Sequence, residues 1–206
     1  MDELAIETPR GPARAYVTLP DGAAASTALL LGHGAGGGIG APDIQAAAGA
    51  ALAAGFAVAL IEQPYRVAGR RAPAPAAHLD EAWCSVIEQL GSRELAGMAR
   101  VTGGRSLGAR VACRTAGATG SIGVLCLAFP LQPPQRAAAT KPTPSRLPEL
   151  EAVTVPMLVV QGRSDRFGMP RDGANRTVVA VAGDHGLKRD LTAVGDAVAG
   201  WLTGLR

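Results

Sequence analysis

The stretch that decides the fold is Gly104-Arg105-Ser106-Leu107-Gly108, which follows a strand-like run at residues 99–103 and precedes a helix-like run at 109–116. Gly-x-Ser-x-Gly between a strand and a helix is typical of a nucleophile elbow, a turn so tight that flanking side chains would collide with their neighbours. The turn leaves the serine hydroxyl exposed at its tip. Because the chain contains 27 glycines, the pattern also arises by accident, and it predicts a nucleophile only where the surrounding sequence agrees.

A base and an acid follow Ser106 in the chain order that a nucleophile elbow requires. Of the three histidines, only His185 lies after the serine, in a turn that follows an apolar run. Asp165 lies between them, directly after another strand-like run. Asp172 and Asp184 are alternative acids, although Asp184 adjoins the histidine and cannot easily reach the far nitrogen of its ring. We expect Ser106, Asp165 and His185 to meet at one edge of a sheet as a catalytic triad.

A glycine-rich loop earlier in the chain predicts an oxyanion hole, the backbone N–H groups that bind the negative oxygen of an acyl-transfer intermediate. The loop, Gly32-His33-Gly34-Ala35-Gly36-Gly37-Gly38, follows a strand-like run at residues 27–31. The predicted donors are the N–H of Ala35 and the N–H of Leu107, the residue after the nucleophile. We expect His33 to hold this loop by a side-chain hydrogen bond rather than to transfer a proton.

The rest of the sequence alternates between apolar runs and amphipathic stretches, which predicts an α/β fold with a doubly wound, mostly parallel sheet and helices on both faces. Strands are predicted at residues 4–8, 13–19, 27–31, 56–61, 99–103, 122–128, 157–160 and 177–182. Helices are predicted at residues 42–55, 79–90, 109–116 and 187–202. A length of 206 residues fits a single domain that spans residues 1–206.

Several short blocks together resemble a known family. They are the Gly-His-Gly-Ala-Gly loop, the Gly-Gly-Arg-Ser-Leu-Gly elbow, Phe129-Pro130-Leu131, the Gln161–Gly168 segment and the Asp184-His185 pair. The chain resembles the α/β-hydrolases, in particular small lidless bacterial proteins related to dienelactone hydrolases, over residues 27–190 or so. The resemblance implies an α/β-hydrolase fold without a cap domain and hydrolysis by a serine nucleophile. It implies no particular substrate. Arg166 stands where this group commonly has a proline after the acid.

Two proline-rich stretches, residues 64–75 and 130–148, follow predicted strand ends and should cover the edge of the sheet that carries the triad. Both are too short and too rich in proline to form a helical lid, so we expect an open site for a small substrate. Glu62 and Tyr65, just past the end of their strand, are candidates for the pocket wall.

Arginines are frequent near the same edge: Arg66, Arg70, Arg71, Arg105, Arg163 and Arg166. A guanidinium group binds carboxylate and phosphate well, so Arg66, Arg105 and Arg163 are predicted to contact an anionic substrate. The alternative is that they are solvated surface residues.

The composition argues against other classes of function. The net charge of +3 comes from scattered Lys and Arg, which does not indicate nucleic-acid binding. The acidic start of the chain predicts no signal peptide, and the longest uncharged apolar run, residues 46–61, is shorter than the roughly twenty residues of a membrane span. The cysteines are predicted to be free thiols in a cytoplasmic protein: Cys84, Cys113 and Cys126. No metal or cofactor is expected, since no cluster has metal-ligand spacing.

The predicted function is hydrolysis of a small ester or thioester through an acyl-enzyme. One alternative is a non-catalytic binding or scaffold protein with a hydrolase fold. The other is a dinucleotide-binding domain, because residues 32–37 also satisfy Gly-x-Gly-x-x-Gly and Glu62 follows the next strand. The dinucleotide alternative leaves Ser106, Asp165 and His185 without a role.

Overall fold

The computed structural model describes residues 1–22, 25–133 and 143–205, and within these ranges the chain forms one eight-stranded sheet and six helices. The strands are β1 (Asp2–Ile6), β2 (Ala13–Thr18), β3 (Thr27–Gly32), β4 (Ala57–Glu62), β5 (Ala99–Arg105), β6 (Gly123–Leu127), β7 (Met157–Gly162) and β8 (Arg176–Val181). The helices are α1 (Pro42–Ala53), α2 (Pro64–Val67), α3 (Ala76–Ser92), α4 (Leu107–Thr115), α5 (Leu147–Glu151) and α6 (Leu191–Thr203).

The strand order across the sheet is β1-β2-β4-β3-β5-β6-β7-β8. β2 pairs antiparallel with both β1 and β4, whereas every other pair is parallel. The strands from β3 to β8 therefore point the same way, and their carboxyl ends share one edge, where α/β proteins bind ligands. This arrangement confirms the predicted mostly parallel α/β sheet.

Helices cover both faces of the sheet. Along β3, Leu29 and Leu31 pack with α1 and α6, whereas Ala28 and Leu30 pack with α3 on the opposite face. Successive side chains of a strand point to opposite faces, so a strand covered on both sides must be apolar throughout. Every residue of β3 is buried, which explains its continuous apolar run.

Several boundaries differ from the sequence prediction by a few residues, and two of them have a clear local cause. β1 ends at Ile6 rather than at Thr8, whose hydroxyl instead closes a turn by donating to the carbonyl of Gly11 at 2.6 Å. α6 begins at Leu191 rather than at residue 187, because the carboxylate of Asp190 caps the helix by accepting the N–H of Ala193 at 3.0 Å. Leu187 is nevertheless buried, so its apolar side chain extended the helical pattern one turn too far.

The two proline-rich stretches contribute only short helices in the described residues. The first contains α2, which begins at Pro64, and the second ends in α5. Residues 134–142 of the second stretch lie outside the described residues. Over the ranges that the structure describes, none of the helices combines the length and apolar character that crossing a membrane would need.

Candidate active site

Ser106 lies at the tip of a sharp turn between β5 and α4, with φ +53° and ψ −101°. A non-glycine residue rarely adopts such a backbone conformation, so the surrounding packing must hold it. Gly104 and Gly108 make this packing possible, because a Cβ added at either would lie 2.5 Å from the carbonyl oxygen of Gly32. The N–H of Ser106 also donates to the carbonyl of Leu127 at 2.9 Å. The strand, turn and helix of the predicted nucleophile elbow are therefore present.

The structure brings Ser106, His185 and Asp165 into one hydrogen-bonded chain. The Nε2 atom of His185 lies 2.9 Å from the serine Oγ, and its Nδ1 atom lies 2.8 Å from Oδ2 of Asp165. The aspartate follows β7 and the histidine follows β8, so both project from the carboxyl edge of the sheet. The aspartate side chain is fully buried and the histidine side chain is 20% exposed, which leaves the ring open to a substrate on one side.

Both oxygens of the Asp165 carboxylate are held in place. Oδ1 accepts the N–H of Phe167 at 2.9 Å, and Oδ2 accepts Nε2–H of Gln161 at 2.8 Å. The same amide nitrogen lies 3.0 Å from the carbonyl oxygen of Phe129 and 2.9 Å from that of Gly168. Gln161 is fully buried at the end of β7, and sequence reasoning gave it no role. A polar residue at the end of an otherwise apolar, buried strand was the available signal.

The two alternative acids accept hydrogen bonds from backbone N–H groups near them in the chain. Oδ1 of Asp184 accepts the N–H of Gly186 at 2.8 Å, and Oδ1 of Asp172 accepts the N–H of Val178 at 2.7 Å. Only Asp165 is hydrogen-bonded to the histidine ring among the three candidates.

Arg105 was predicted to contact substrate, but its guanidinium group is bonded within the protein. Its Nη2 donates to the backbone carbonyl of His185 at 2.9 Å, and its Nε lies 3.0 Å from Oδ2 of Asp43, whose side chain is fully buried. Burial raises the pKa of the Asp43 carboxyl, and the Arg105 guanidinium offsets part of that rise. Arg105 therefore ties α1 to the turn that carries the histidine.

The loop after β3 lies beside the nucleophile, and both Ala35 and Leu107 line the cleft that contains Ser106. Tyr65, a predicted wall residue, is buried, and its hydroxyl donates to the carbonyl of Ala35 at 3.2 Å. Tyr65 thus supports the loop. The next helix, α1, begins only at Pro42, so no helix N-terminus follows the glycines directly, as a dinucleotide-binding loop would need.

His33 holds the same loop from within. Its Nδ1 lies 2.8 Å from the carbonyl oxygen of Gly34, and its Nε2 lies 3.1 Å from the backbone nitrogen of Gln63. Both bonds form when the ring is neutral and Nδ1 carries the proton, and burial lowers the pKa of the His33 imidazole. This arrangement matches the expected structural role of His33.

None of the five predicted substrate-binding residues lines the cleft beside Ser106. Glu62 is half-buried and accepts a hydrogen bond from the hydroxyl of Tyr16 at 3.4 Å. Arg66 is also half-buried, and Arg163 is exposed, with its backbone N–H bonded to Val181. A position after a strand end fixes the edge of the sheet on which a residue lies but not the direction of its side chain, and contact between these residues and a substrate stays a prediction.

The cleft beside Ser106 has a volume of about 450 Å³. Its walls include apolar side chains such as Pro73, Leu79 and Phe167, whose ring packs edge-on against His185 at 4.5 Å between centroids. Three arginines that sequence reasoning missed also line it: Arg110, Arg114 and Arg146. The first two lie four and eight residues after Ser106, and positions with this spacing share one face of a helix.

Backbone hydrogen bonds join the loop after β6 to the loop that carries the acid. The N–H of Gln132 donates to the carbonyl of Phe167 at 2.7 Å. The N–H of Arg146 donates to the carbonyl of Leu131 at 2.9 Å. Arg146 is therefore connected to the acid loop by two short backbone links.

The family model described as an alpha/beta hydrolase domain matches residues 25–192, and the chain therefore belongs to the α/β-hydrolase family. Similar solved structures include a serine hydrolase without a lid from Xanthomonas campestris, with 20% identity and a TM-score of 0.76 over 98% of this chain and 94% of that one. Est1E from Butyrivibrio proteoclasticus has 14% identity and a TM-score of 0.80, over 100% of this chain and 99% of that one. Dienelactone hydrolase from Anabaena variabilis has 15% identity and a TM-score of 0.72, over 98% and 97%. Comparison with curated protein sequences gave no match.

These similarities confirm the predicted lidless α/β-hydrolase fold and support a hydrolase. At such low sequence identities, the structural likeness establishes the fold and not the reaction.

Proposed function

We propose that this protein is a serine hydrolase that cleaves small esters or thioesters through an acyl-enzyme. The observation that carries the proposal is the continuous hydrogen-bonded chain from Ser106 Oγ through the His185 ring to the Asp165 carboxylate, with distances of 2.9 and 2.8 Å. A nucleophile bonded to a base, with the base oriented by an acid, is the arrangement that activates a hydroxyl group.

In the first half of the reaction, His185 Nε2 accepts the proton of Ser106 as the serine oxygen attacks the ester or thioester carbonyl. The N–H groups of Ala35 and Leu107 stabilise the oxyanion that forms. His185 then donates the proton to the leaving alcohol or thiol, which departs and leaves an ester between the acyl group and Ser106. Asp165 keeps the ring oriented and stabilises its charged form throughout.

In the second half, His185 accepts a proton from water as the water oxygen attacks the acyl-enzyme carbonyl. The same N–H groups stabilise the second oxyanion. The carboxylic acid leaves as the proton returns to the serine oxygen, and the enzyme is restored. The reaction needs no metal or cofactor.

The cleft volume of about 450 Å³ and its apolar walls favour a compact substrate. Dienelactone hydrolase, among the structures of similar fold, is named for hydrolysis of a lactone, which is a cyclic ester. Both observations favour a carboxylic ester or thioester of modest size.

The test is Ser106→Ala, assayed on a phenyl acetate and with a fluorophosphonate probe that labels only an activated serine. We expect the wild type to hydrolyse the ester and to be labelled, and Ser106→Ala to lose at least a thousandfold in kcat and all labelling. Ser92→Ala, at the end of α3, is the matched control and should behave as wild type. A wild type that is neither labelled nor active would favour the non-catalytic scaffold.

A further inference from the structure

Three arginines converge on one wall of the cleft that contains Ser106. Arg110 and Arg114 lie on α4, and Arg146 lies immediately before α5. Each lines the same cleft as the nucleophile. Because an α-helix rises about 5.4 Å in each turn of 3.6 residues, Arg110 lies roughly one turn from the serine along α4.

Two carboxylates neutralise two of these guanidinium groups. Arg110 donates from Nε to Oε2 of Glu149 at 2.8 Å and from Nη2 to Oε1 at 2.5 Å. Arg114 donates from Nε to Oδ2 of Asp80 at 2.8 Å and from Nη2 to Oδ1 at 2.6 Å. All four side chains are less than 25% exposed, with values of 21% and 18% for the first pair and 19% and 24% for the second. These bidentate pairs fix the orientation of the two arginines on α4, and both residues line the cleft.

Arg146 is the cation without an acidic partner. Its Nη1 donates to the carbonyl of Pro130 at 2.9 Å, and in the described residues no carboxylate lies within 4.0 Å of its guanidinium nitrogens. A guanidinium group has five N–H donors, and Pro130 accepts one of them. Nη1 of Arg114 is buried without a hydrogen-bond partner, 3.5 Å from Oε1 of Glu149.

The protein surroundings of Arg146 are unfavourable for its charge. Burial lowers the pKa of the Arg146 guanidinium, and the neighbouring charges of Arg110 and Arg114 lower it further, against the opposing effect of Glu149. An anion in the cleft would remove this repulsion. The cluster contains three guanidinium groups and two carboxylates, and a single negative group would balance it.

We propose that Arg146, flanked by Arg110 and Arg114, binds a carboxylate or phosphate group carried by the substrate, so that the enzyme selects esters or thioesters with a negative charge a few bonds from the reacting carbonyl. This inference rests on the proposed serine hydrolase function. The arginines that select the anion are Arg110, Arg114 and Arg146. Arg66 and Arg163, which the sequence suggested, have no part in this proposal.

The first experiment measures selectivity with matched substrates. 4-Acetoxybenzoate and methyl 4-acetoxybenzoate carry the same acetyl ester and differ in one negative charge, and 4-acetoxyphenyl phosphate tests phosphate in the same position. The quantity compared is kcat/KM for cleavage of the acetyl ester, taken as the ratio of its value for 4-acetoxybenzoate to its value for methyl 4-acetoxybenzoate. In Arg146→Gln, we expect this ratio to fall by about tenfold to a hundredfold, because a charge-assisted hydrogen bond is lost. Arg146→Lys should keep part of the ratio. The carboxylate and phosphate arms show which anion the site prefers.

Arg93→Gln is the matched control, because Arg93 is an exposed arginine after the end of α3, at the opposite edge of the sheet. Its ratio should equal that of the wild type. A ratio that stays within twofold of the wild-type value in Arg146→Gln would overturn the proposed anion site.

The second experiment measures binding without catalysis. Calorimetry with 4-acetamidobenzoate, whose amide replaces the ester, should give a dissociation constant that rises at least tenfold from wild type to Arg146→Gln. Binding that depends on Arg146 in a protein that cleaves no ester would uphold the anion site and contradict the serine hydrolase. If the protein cleaves esters and Arg146→Gln changes neither measurement, the serine hydrolase is upheld and the anion site is contradicted.

Discussion

Arg105 precedes the nucleophile in the chain, and its guanidinium group joins three parts of the site. It contacts Asp43 at the start of α1 and the backbone carbonyl of His185. It also lies so close to the loop after β3 that a Cβ added at Gly34 would be 2.8 Å from Nη1. Arg105 therefore holds the His185 turn and this loop in position.

Replacing Arg105 with glutamine should damage both stability and turnover. The variant leaves the Asp43 carboxylate buried without its cationic partner, and breaking a buried pair typically costs about 3–5 kcal/mol in the free energy of unfolding. We expect kcat to fall more than KM changes, because the His185 turn loses an anchor. Urea denaturation at neutral pH and steady-state kinetics on a phenyl acetate measure the two effects.

The loss of stability in Arg105→Gln should depend on pH. Burial raises the folded-state pKa of Asp43, so its contribution to stability is complete below the unfolded pKa and is lost as pH rises through the folded pKa. Removing the guanidinium raises that folded pKa further. The difference from wild type should therefore be small in acid and grow toward neutral pH. Adding Asp43→Asn should remove most of this pH dependence, and a difference that is constant with pH would contradict the account.

The hydrogen-bonded chain of Ser106, His185 and Asp165 could be anticipated from sequence because each residue belongs to a short local pattern: an elbow, a strand followed by an acid, and an apolar run followed by a histidine. Asp43 could not be predicted, because its role depends on a contact with Arg105, which is distant in the chain. Gln161 was missed, although its polar side chain ends a buried strand only four residues before Asp165. Arg66 and Arg163 do not line the cleft beside Ser106, so their contact with a substrate stays a prediction. Strand ends fix where a residue lies and leave open whether its side chain turns toward the cleft.

At the scale of elements, the elbow depends on close contact between β3, β5 and α4. A Cβ at Gly108 would lie 2.5 Å from the carbonyl oxygen of Gly32 and 2.6 Å from its carbonyl carbon. Both atoms belong to the backbone of a buried strand and cannot move aside without shifting the sheet.

Gly108→Ala should therefore destabilise the protein by about 1–3 kcal/mol or more, as expected for overpacking. It should also displace the start of α4 and reduce turnover. Gly117→Ala is the matched control, since a Cβ at Gly117 meets nothing within 4 Å. Chemical denaturation of the two variants measures the difference, and equal stabilities would contradict the close packing at the elbow.

The elbow helix also shows what periodicity can reveal. Arg110 and Arg114 follow Ser106 by four and eight residues, and this spacing already places both arginines on the same face of α4. Arg146 could not be predicted in this way, because it lies in a long proline-rich stretch without helical periodicity.

At the scale of the whole molecule, two of the three cysteines are enclosed between α4 and β6. The Sγ atoms of Cys113 and Cys126 lie 3.5 Å apart, and both residues are buried. The hydrogen bond to Cys113 and burial together raise the pKa of the Cys126 thiol well above its ordinary value. Cys84 is half-buried on α3, and burial raises the pKa of its thiol too.

A disulfide reagent should therefore distinguish the thiols in the native protein. We expect Cys84 to react first, and Cys113 and Cys126 to react only at the rate of unfolding, since a thiolate must form and be reached. Added urea should accelerate the slow phase, and Cys84→Ser should abolish the fast one. Three thiols that react at one common rate without denaturant would contradict this.

The sheet topology was predictable to a large extent, because buried parallel strands appear as continuous apolar runs separated by helices. The spatial order of the strands cannot be predicted from any single segment of the sequence. It depends on how the helices cover both faces of the sheet. Along β3, Leu29 and Leu31 pack on one face, whereas Ala28 and Leu30 pack on the other.

The backbone bonds from Gln132 to Phe167 and from Arg146 to Leu131 connect the proposed anion site to the loop that carries Asp165. If both proposals hold, a mutation that remodels the loop after β6 to admit a different molecule should also shift the Asp165 carboxylate. Adaptation toward a new ester should then begin on α4, where side chains can be exchanged while the acid stays in place.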